Sequence, residues 1–145
     1  VIRDFHSPNL IWLDGRADIA RVGIIDFQDA VLGPAAYDLV SLLQDARVDV
    51  PEALELAMLT RYIKTRRSDD DTFDPANFAE LYAIMSAQRN TRLLGTFARL
   101  NRRDGKPQYL KHQPRIWTYL TRSLDHPVLS DIRAWYTAHV PAPVP

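Results

Sequence analysis

The chain has 145 residues, of which 46% are hydrophobic, 10% aromatic and 25% charged, and these proportions are typical of one folded domain. They exclude a disordered or low-complexity chain, and no apolar run reaches the roughly 18 residues that a membrane-spanning helix needs. The absence of cysteine excludes disulfides, a thiolate nucleophile and a cysteine-ligated zinc site. We expect a cytoplasmic protein that does not bind a membrane.

The first part of the chain predicts two short strands joined by a turn. Residues 10–13 and 21–27 are rich in β-branched and other apolar side chains, and the turn dipeptide Asp14-Gly15 lies between them. We expect the second strand to be buried and to end at Asp26.

Beyond the Gly33-Pro34 break, the apolar residues recur at helical spacing almost to the end of the chain. Leu54 and Leu56, for example, are among the apolar residues that mark the second helix. The pattern predicts helices at residues 37–46, 51–63, about 75–104, 116–124 and 129–139, with a polar connector at 68–72 and a proline-rich tail at 141–145. The predicted fold class is α+β and mainly α, with a short β-hairpin region packed on about five helices.

The charges are unevenly distributed, although the formal net charge is zero. Residues 1–88 carry 15 acidic and 8 basic side chains, whereas residues 89–122 carry 9 basic and 1 acidic. This asymmetry favours cation binding by the first part and anion binding by the later segment. The plain alternative for Arg89, Arg92 and the arginines that follow them is a solvated helix face.

Three polar residues near the predicted hairpin suggest a chemical function. Asp4 and Asn9 lie five residues apart in one loop, and Asp26 follows the second strand. A hairpin brings these positions together, so that two carboxylates and one amide surround a hard cation such as Mg²⁺. Phosphoryl transfer needs such a set, because one carboxylate orients the attacking hydroxyl while an amide and a second carboxylate hold the metal.

The same residues lie within motifs that resemble a known superfamily. The segments DFHSPN at 4–9, IDFQDA at 25–30 and GPAAYDL at 33–39 resemble the aminoglycoside phosphotransferase and choline kinase superfamily, which has a protein-kinase-like fold. Within it, residues 3–13 and 25–51 are most similar to the bacterial kinases that phosphorylate the anomeric hydroxyl of N-acetylmuramate and N-acetylglucosamine. The resemblance covers nearly the whole chain, as a C-terminal lobe at residues 1–140.

The resemblance implies ATP and Mg²⁺ as cofactors and a role for each matching residue. Asp4 would be the catalytic base, Asn9 and Asp26 the metal ligands, and His6, Asp29 and Asp38 supporting residues. Arg89 and Arg92 are candidates for binding an anionic substrate. The N-terminal nucleotide-binding lobe of such kinases has no counterpart here, since the five glycines form no phosphate-covering Gly-x-Gly loop. We therefore expect the missing lobe to be a partner, and this chain alone to be inactive.

Structural roles are the alternatives for several of these residues. A loop histidine such as His6 often binds backbone carbonyls, and Asp38 fits the first turn of a helix, where a carboxylate satisfies free amides. Asp29 can equally be an exposed acid after a strand. We expect all three tryptophans in the hydrophobic core; they are Trp12, Trp117 and Trp135.

Other functions also fit the sequence. An aminoglycoside, choline or another small alcohol can be the acceptor in the same fold, although a basic segment disfavours a polycation. A helical module that binds nucleic acid through the segment 89–122 belongs to another class, and we expect it less than a small-molecule substrate. A non-catalytic lobe kept for partner contacts is a third alternative, against which the intact Asp4, Asn9 and Asp26 argue.

Overall fold

A computed structural model describes residues 1–142 of the chain, as a two-stranded hairpin followed by five α-helices. The last three residues of the proline-rich tail, 143–145, lie outside the described residues. Strand β1 (Leu10–Trp12) pairs antiparallel with β2 (Val22–Ile24), with Leu10 opposite Ile24. The helices are α1 (Ala36–Leu43), α2 (Glu52–Asp69), α3 (Pro75–Asp104), α4 (Gln113–Leu124) and α5 (Ser130–His139). This architecture confirms the predicted fold class.

Helix α3 is the scaffold of the lobe, and its ends follow from sequence signals. The Asp74 carboxylate accepts a hydrogen bond of 2.8 Å from the Ala76 amide, and Pro75 occupies the first turn, where its missing N–H is not needed. At the other end Gly105 has a φ of 62°, a left-handed conformation that glycine adopts without strain. Between these caps, α3 packs against both α1 and α4.

The hydrophobic core lies on both sides of α3. One cluster joins α3 to α4 and the start of α5, and a second surrounds Phe97. Their buried members are Ala83, Ala87, Leu120, Leu124 and Leu129 in the first cluster, and Ala46, Phe97 and Ile116 in the second. Apolar burial along one side of α1, α3 and α4 is the main force that holds this bundle together.

Helix α2 attaches to the bundle differently, through a buried carboxylate. Among the described residues of α2, Glu55 is the only one that is buried, whereas Leu54 and Leu56 are about half exposed. The Glu55 carboxylate accepts hydrogen bonds from Gln44 at 2.9 Å and Tyr82 at 2.7 Å, and it pairs with the Arg122 guanidinium. Burial and the adjacent Glu55 charge raise the pKa of the Tyr82 hydroxyl, which therefore remains a donor.

Helix α2 is also longer than predicted. It continues through residues 64–69, which include part of the expected polar connector, because these lysine and arginine residues favour helix. It ends where the Asp70 carboxylate accepts hydrogen bonds from the backbone and side chain of Thr72, an alternative to continued helix.

The hairpin departs from prediction in its exposure. Strand β2 ends at Ile24, before Asp26, and it is exposed where we expected a buried strand, because no described element covers this face. Trp12 is 61% exposed and Trp135 is 54% exposed, so the prediction that all tryptophans lie in the core was wrong for these two. None of the helices within residues 1–142 is long and apolar enough to cross a membrane.

Candidate active site

The loop that carries Asp4 has a defined shape that its own backbone stabilises. The His6 amide donates a hydrogen bond of 3.0 Å to the Asp4 carbonyl, and the Asn9 amide donates one of 2.9 Å to the His6 carbonyl. Ser7–Asn9 form a short 3₁₀ turn with Pro8 near its start, which fixes the backbone just before Asn9. The backbone from Asp4 to Asn9 is therefore fixed by these hydrogen bonds and by the turn that ends at Asn9.

Helix α1 holds the start of this loop through Asp38. The Asp38 carboxylate accepts hydrogen bonds from the amides of Ile2 at 2.7 Å and Arg3 at 3.0 Å. The carboxylate lies in the first turn of α1 and satisfies free amides, as one alternative expected, and these amides belong to the incoming loop. The Ser41 hydroxyl, three residues further along, donates a bond of 3.4 Å to the Arg3 carbonyl.

The chain just beyond the end of α1 carries a residue that sequence reasoning missed. Asp45 is 1% exposed, and its carboxylate accepts hydrogen bonds from the amides of Ser7 at 3.1 Å and Arg47 at 2.8 Å. Asp45 lies two residues beyond the end of α1 at Leu43, so no helical spacing marks it in the sequence. Asp38 and Asp45 therefore hold the two ends of the loop.

The hairpin brings Asn9 and Asp26 into contact, as their spacing predicts. The Asn9 side-chain amide donates hydrogen bonds to the Asp4 carbonyl at 2.9 Å and to Asp26 Oδ2 at 3.2 Å. The Ile25 amide donates a bond of 3.1 Å to the Asn9 carbonyl, which extends the strand pairing to the residue before Asp26. Asp4, Asn9 and Asp26 therefore converge at the end of the hairpin, where Asp26 is exposed.

Strained backbone occurs on both sides of this convergence. Arg3 has a φ of 75° and Asp26 a φ of 60°, values in the left-handed region that side chains other than glycine seldom adopt. Arg3 is held there by its bonds to Asp38 and Ser41. Asp26 is held by Asn9 and by Gln28, whose amide donates a bond of 2.6 Å to Asp26 Oδ1. Such strain is concentrated at functional sites in proteins.

The donor set at this point fits a hard divalent cation. Asp26 supplies two carboxylate oxygens, and Asn9 Oδ1 has no hydrogen-bond partner within the described residues. Oxygen atoms of this kind are the ligands that Mg²⁺ prefers. No group of three His, Cys, Asp or Glu side chains in residues 1–142 could enclose a metal.

His6 lies within the loop in an environment that favours the neutral imidazole. Burial lowers the pKa of His6, and the nearby Arg47 acts in the same direction, while Asp45 and Asp4 partly oppose them. Its Nδ1 atom is buried and has no hydrogen-bond partner in the described chain. His6 is thus uncharged at neutral pH and borders Asp4.

The other candidate residues lie in three different environments. The Asp29 side chain is exposed and makes no hydrogen bond or ion pair within the described residues. Arg89 is 3% exposed, and its guanidinium stacks on the Tyr37 ring with 5.6 Å between the guanidinium carbon and the ring centroid. Arg92 is exposed and lines a cavity together with Arg3 and Tyr37. Asp29 is therefore apart from the convergence, and of the two arginines only Arg92 lines this cavity.

Comparison with known proteins matches this chain to a family and to several curated relatives. Residues 3–81 match the phosphotransferase enzyme family. The chain is 46% identical to the N-acetylmuramate/N-acetylglucosamine kinase of Caulobacter vibrioides over 96% of its length. Proteins of the same name from Neisseria meningitidis and Pseudomonas aeruginosa are 40% and 39% identical over 84% and 83% of the chain.

These relatives are much longer than the chain. It spans 37% of the Caulobacter protein, 36% of the Neisseria protein and 35% of the Pseudomonas protein. The family match covers the loop of Asp4, the hairpin, Asp26 and α1, the elements from which the convergence is built. By this match and these identities, the chain belongs to the phosphotransferase enzyme family.

Proposed function

We propose that residues 1–140 form the C-terminal catalytic lobe of an ATP- and Mg²⁺-dependent kinase whose acceptor is an amino sugar, N-acetylmuramate or N-acetylglucosamine. The observation that supports it most is the convergence of Asp4, Asn9 and Asp26 on one strained hairpin end. The names of the relatives support the acceptor. Since ATP is a cytoplasmic metabolite, the reaction would take place in the cytoplasm.

In this proposal each residue has one task. The Asp4 carboxylate accepts a hydrogen bond from the acceptor hydroxyl and orients its oxygen toward the γ-phosphorus. It takes the proton as the new O–P bond forms and the bond from the γ-phosphorus to the β,γ-bridging oxygen breaks, so that ADP leaves. Asn9 and Asp26 would hold Mg²⁺, which supplies positive charge against the phosphate oxygens. Asp38 and Asp45 act through the backbone by keeping the Asp4 loop in place. They are positioning residues.

The exposed hairpin supports a further lobe as a partner. Ile11, Trp12, Ile24 and Phe27 are each more than a third exposed and lie on the hairpin or just after it, with Ile24 at the end near Asp26 and Trp12 at the opposite end. A patch of this kind in one place is typical of an interface. We propose that the nucleotide-binding lobe of the full-length protein packs on this surface and covers the ATP site.

The proposal is tested by following ADP release from Mg²⁺-ATP in the full-length protein. We expect turnover with N-acetylmuramate and N-acetylglucosamine, and none above background with kanamycin or choline, because the basic segment 89–122 repels both the polycation kanamycin and the singly charged choline. Turnover with kanamycin or choline alone would keep the mechanism and contradict the acceptor. No turnover with any of the four would contradict the proposed function.

Replacing Asp26 with Asn is expected to raise the Mg²⁺ concentration needed for half-maximal activity at least about tenfold, because the metal loses its charged ligand. The measurement is a Mg²⁺ titration at saturating ATP and acceptor. The matched control is Asp29→Asn, an exposed acid three residues away that makes no hydrogen bond or ion pair within the described residues. An unchanged Mg²⁺ requirement in Asp26→Asn would remove this residue from the metal site.

A further inference from the structure

A cavity of 290 Å³ lies beside the Asp4 loop, between the loop, α1 and α3. We name it the α1–α3 pocket and define it by Arg3, Pro34, Tyr37, Met85, Gln88 and Arg92, which are among its lining residues. None of its lining residues in the described chain is acidic. Arg3, which lines the pocket, directly precedes Asp4 in the chain, with about 3.8 Å between their Cα atoms.

The arginines of this pocket lack acidic partners. The ion pairs of residues 1–142 involve five other arginines, namely Arg66, Arg103, Arg115, Arg122 and Arg133. Arg3 and Arg92 therefore present two guanidinium groups with no carboxylate within 4.0 Å in the described chain. A guanidinium is a fork of donors that suits a carboxylate or a phosphate, and in a concave site its charge is poorly screened.

A third cation lies behind the pocket wall. Arg89 stacks on the inner side of Tyr37, its Nε atom has no hydrogen-bond partner in the described residues, and no acid pairs with it there. Burying a charge without an opposite partner costs free energy, so natural proteins retain such a charge where an anion or a dipole offsets it. Its potential adds to that of Arg3 and Arg92 and makes the pocket more attractive to an anion.

We propose that the α1–α3 pocket binds the carboxylate of an anionic amino sugar while its hydroxyl is engaged by Asp4, and that Arg92 is the residue that distinguishes such a sugar from a neutral one. N-acetylmuramate carries a lactyl carboxylate that N-acetylglucosamine lacks, so the two acceptors differ in the group that this pocket would recognise. Arg92 and Gln88 also line the larger cleft between α3 and α5, which leaves room for the rest of the sugar. This inference rests on the proposed function.

The test compares the two acceptors in the full-length protein and in its Arg92→Gln variant. We expect the variant to raise the KM for N-acetylmuramate about tenfold or more, the loss of one charge-assisted hydrogen bond, and the KM for N-acetylglucosamine less than about twofold. The KM of the unmodified protein for N-acetylmuramate is also expected to rise with salt, while that for N-acetylglucosamine does not. The control is Arg99→Gln, an exposed arginine of the same helix outside the pocket, with no change expected in either KM.

Several results would overturn the inference. Equal changes in both KM values, or no change in either, would show that Arg92 does not recognise the lactyl carboxylate of N-acetylmuramate. A rise confined to the KM for ATP would assign Arg92 to the nucleotide phosphates instead. Calorimetric titration of N-acetylmuramate separates this inference from the proposed function, because it measures binding without turnover. If neither sugar is phosphorylated, N-acetylmuramate that binds the unmodified protein and binds Arg92→Gln about tenfold more weakly would uphold the pocket. The absence of N-acetylmuramate binding to the unmodified protein would overturn the inference.

Discussion

Replacing Asp4 with Asn is expected to lower the kcat of the full-length kinase about a thousandfold, within the range that a positioned general base contributes. The amide can accept a hydrogen bond from the acceptor hydroxyl, but it cannot take the proton. The KM for ATP should change little, because Asp4 is not among the residues proposed to hold the metal. The measurement is ADP release at saturating substrates.

The folded structure should survive this change, for a reason visible in the loop. The hydrogen bonds from His6 and Asn9 end on the backbone carbonyl of Asp4, and its side chain makes no hydrogen bond within the described residues. Thermal unfolding of the variant should therefore match that of the unmodified protein. Asp14→Asn, in the exposed turn of the hairpin, is the matched control and should retain full activity. A kcat within about threefold of normal in Asp4→Asn would refute the assignment of this base.

Replacing Glu55 with Ala is expected to lower the free energy of unfolding by about 3–5 kcal/mol. The substitution removes the acceptor shared by Gln44 and Tyr82 and the charge paired with Arg122, so that buried polar groups lose their partners. In a chain of this size such a loss corresponds to a decrease in Tm of about 10–15 °C. Thermal and urea unfolding of the chain, followed by circular dichroism, provide the measurement.

The same helix offers a control that contacts the same arginine. Glu52 lies 3.7 Å from Arg122, but its side chain is 64% exposed, whereas that of Glu55 is 4% exposed. Exposed ion pairs contribute little, so Glu52→Ala should cost less than about 1 kcal/mol. Equal effects of the two substitutions would contradict the view that burial of the carboxylate, rather than its charge alone, holds α2 in place.

The contrast between α3 and α2 shows which parts of the fold were predictable. Helix α3 was predicted with its bounds, because Asp74-Pro75 and Gly105 are local signals at its ends. For α2 the apolar residues, among them Leu54 and Leu56, predicted a helix but did not indicate that its buried residue is a carboxylate. The residue that faces inward is Glu55, whose partners lie 11, 27 and 67 residues away along the chain. Contacts so distant leave no local pattern in the sequence.

The candidate site divides in the same way. The convergence of Asn9 and Asp26 followed from a hairpin between them, since strand pairing fixes which residues meet. The hydrogen bonds from the loop amides to Asp38 and Asp45 could not be derived from the sequence, because a carboxylate in or just after a helix does not reveal which amide will donate to it. The exposure of the hairpin could not be predicted either. Apolar residues in a strand indicate that it is buried, but they do not show which element covers it.

The way in which α1 holds the Asp4 loop has a consequence for how such enzymes diversify. Asp38 and Asp45 bind only main-chain amides of the loop, at Ile2, Arg3 and Ser7, so these contacts place no demand on the side chains at those positions. A substitution at Ile2 or Ser7 can therefore arise without removing these contacts, whereas a new residue at position 3 also has to adopt the left-handed φ of 75°. The contacts that support the loop are thus separate from the side chains that carry its chemistry. Natural selection and protein engineering can therefore change those side chains while the supporting contacts are kept.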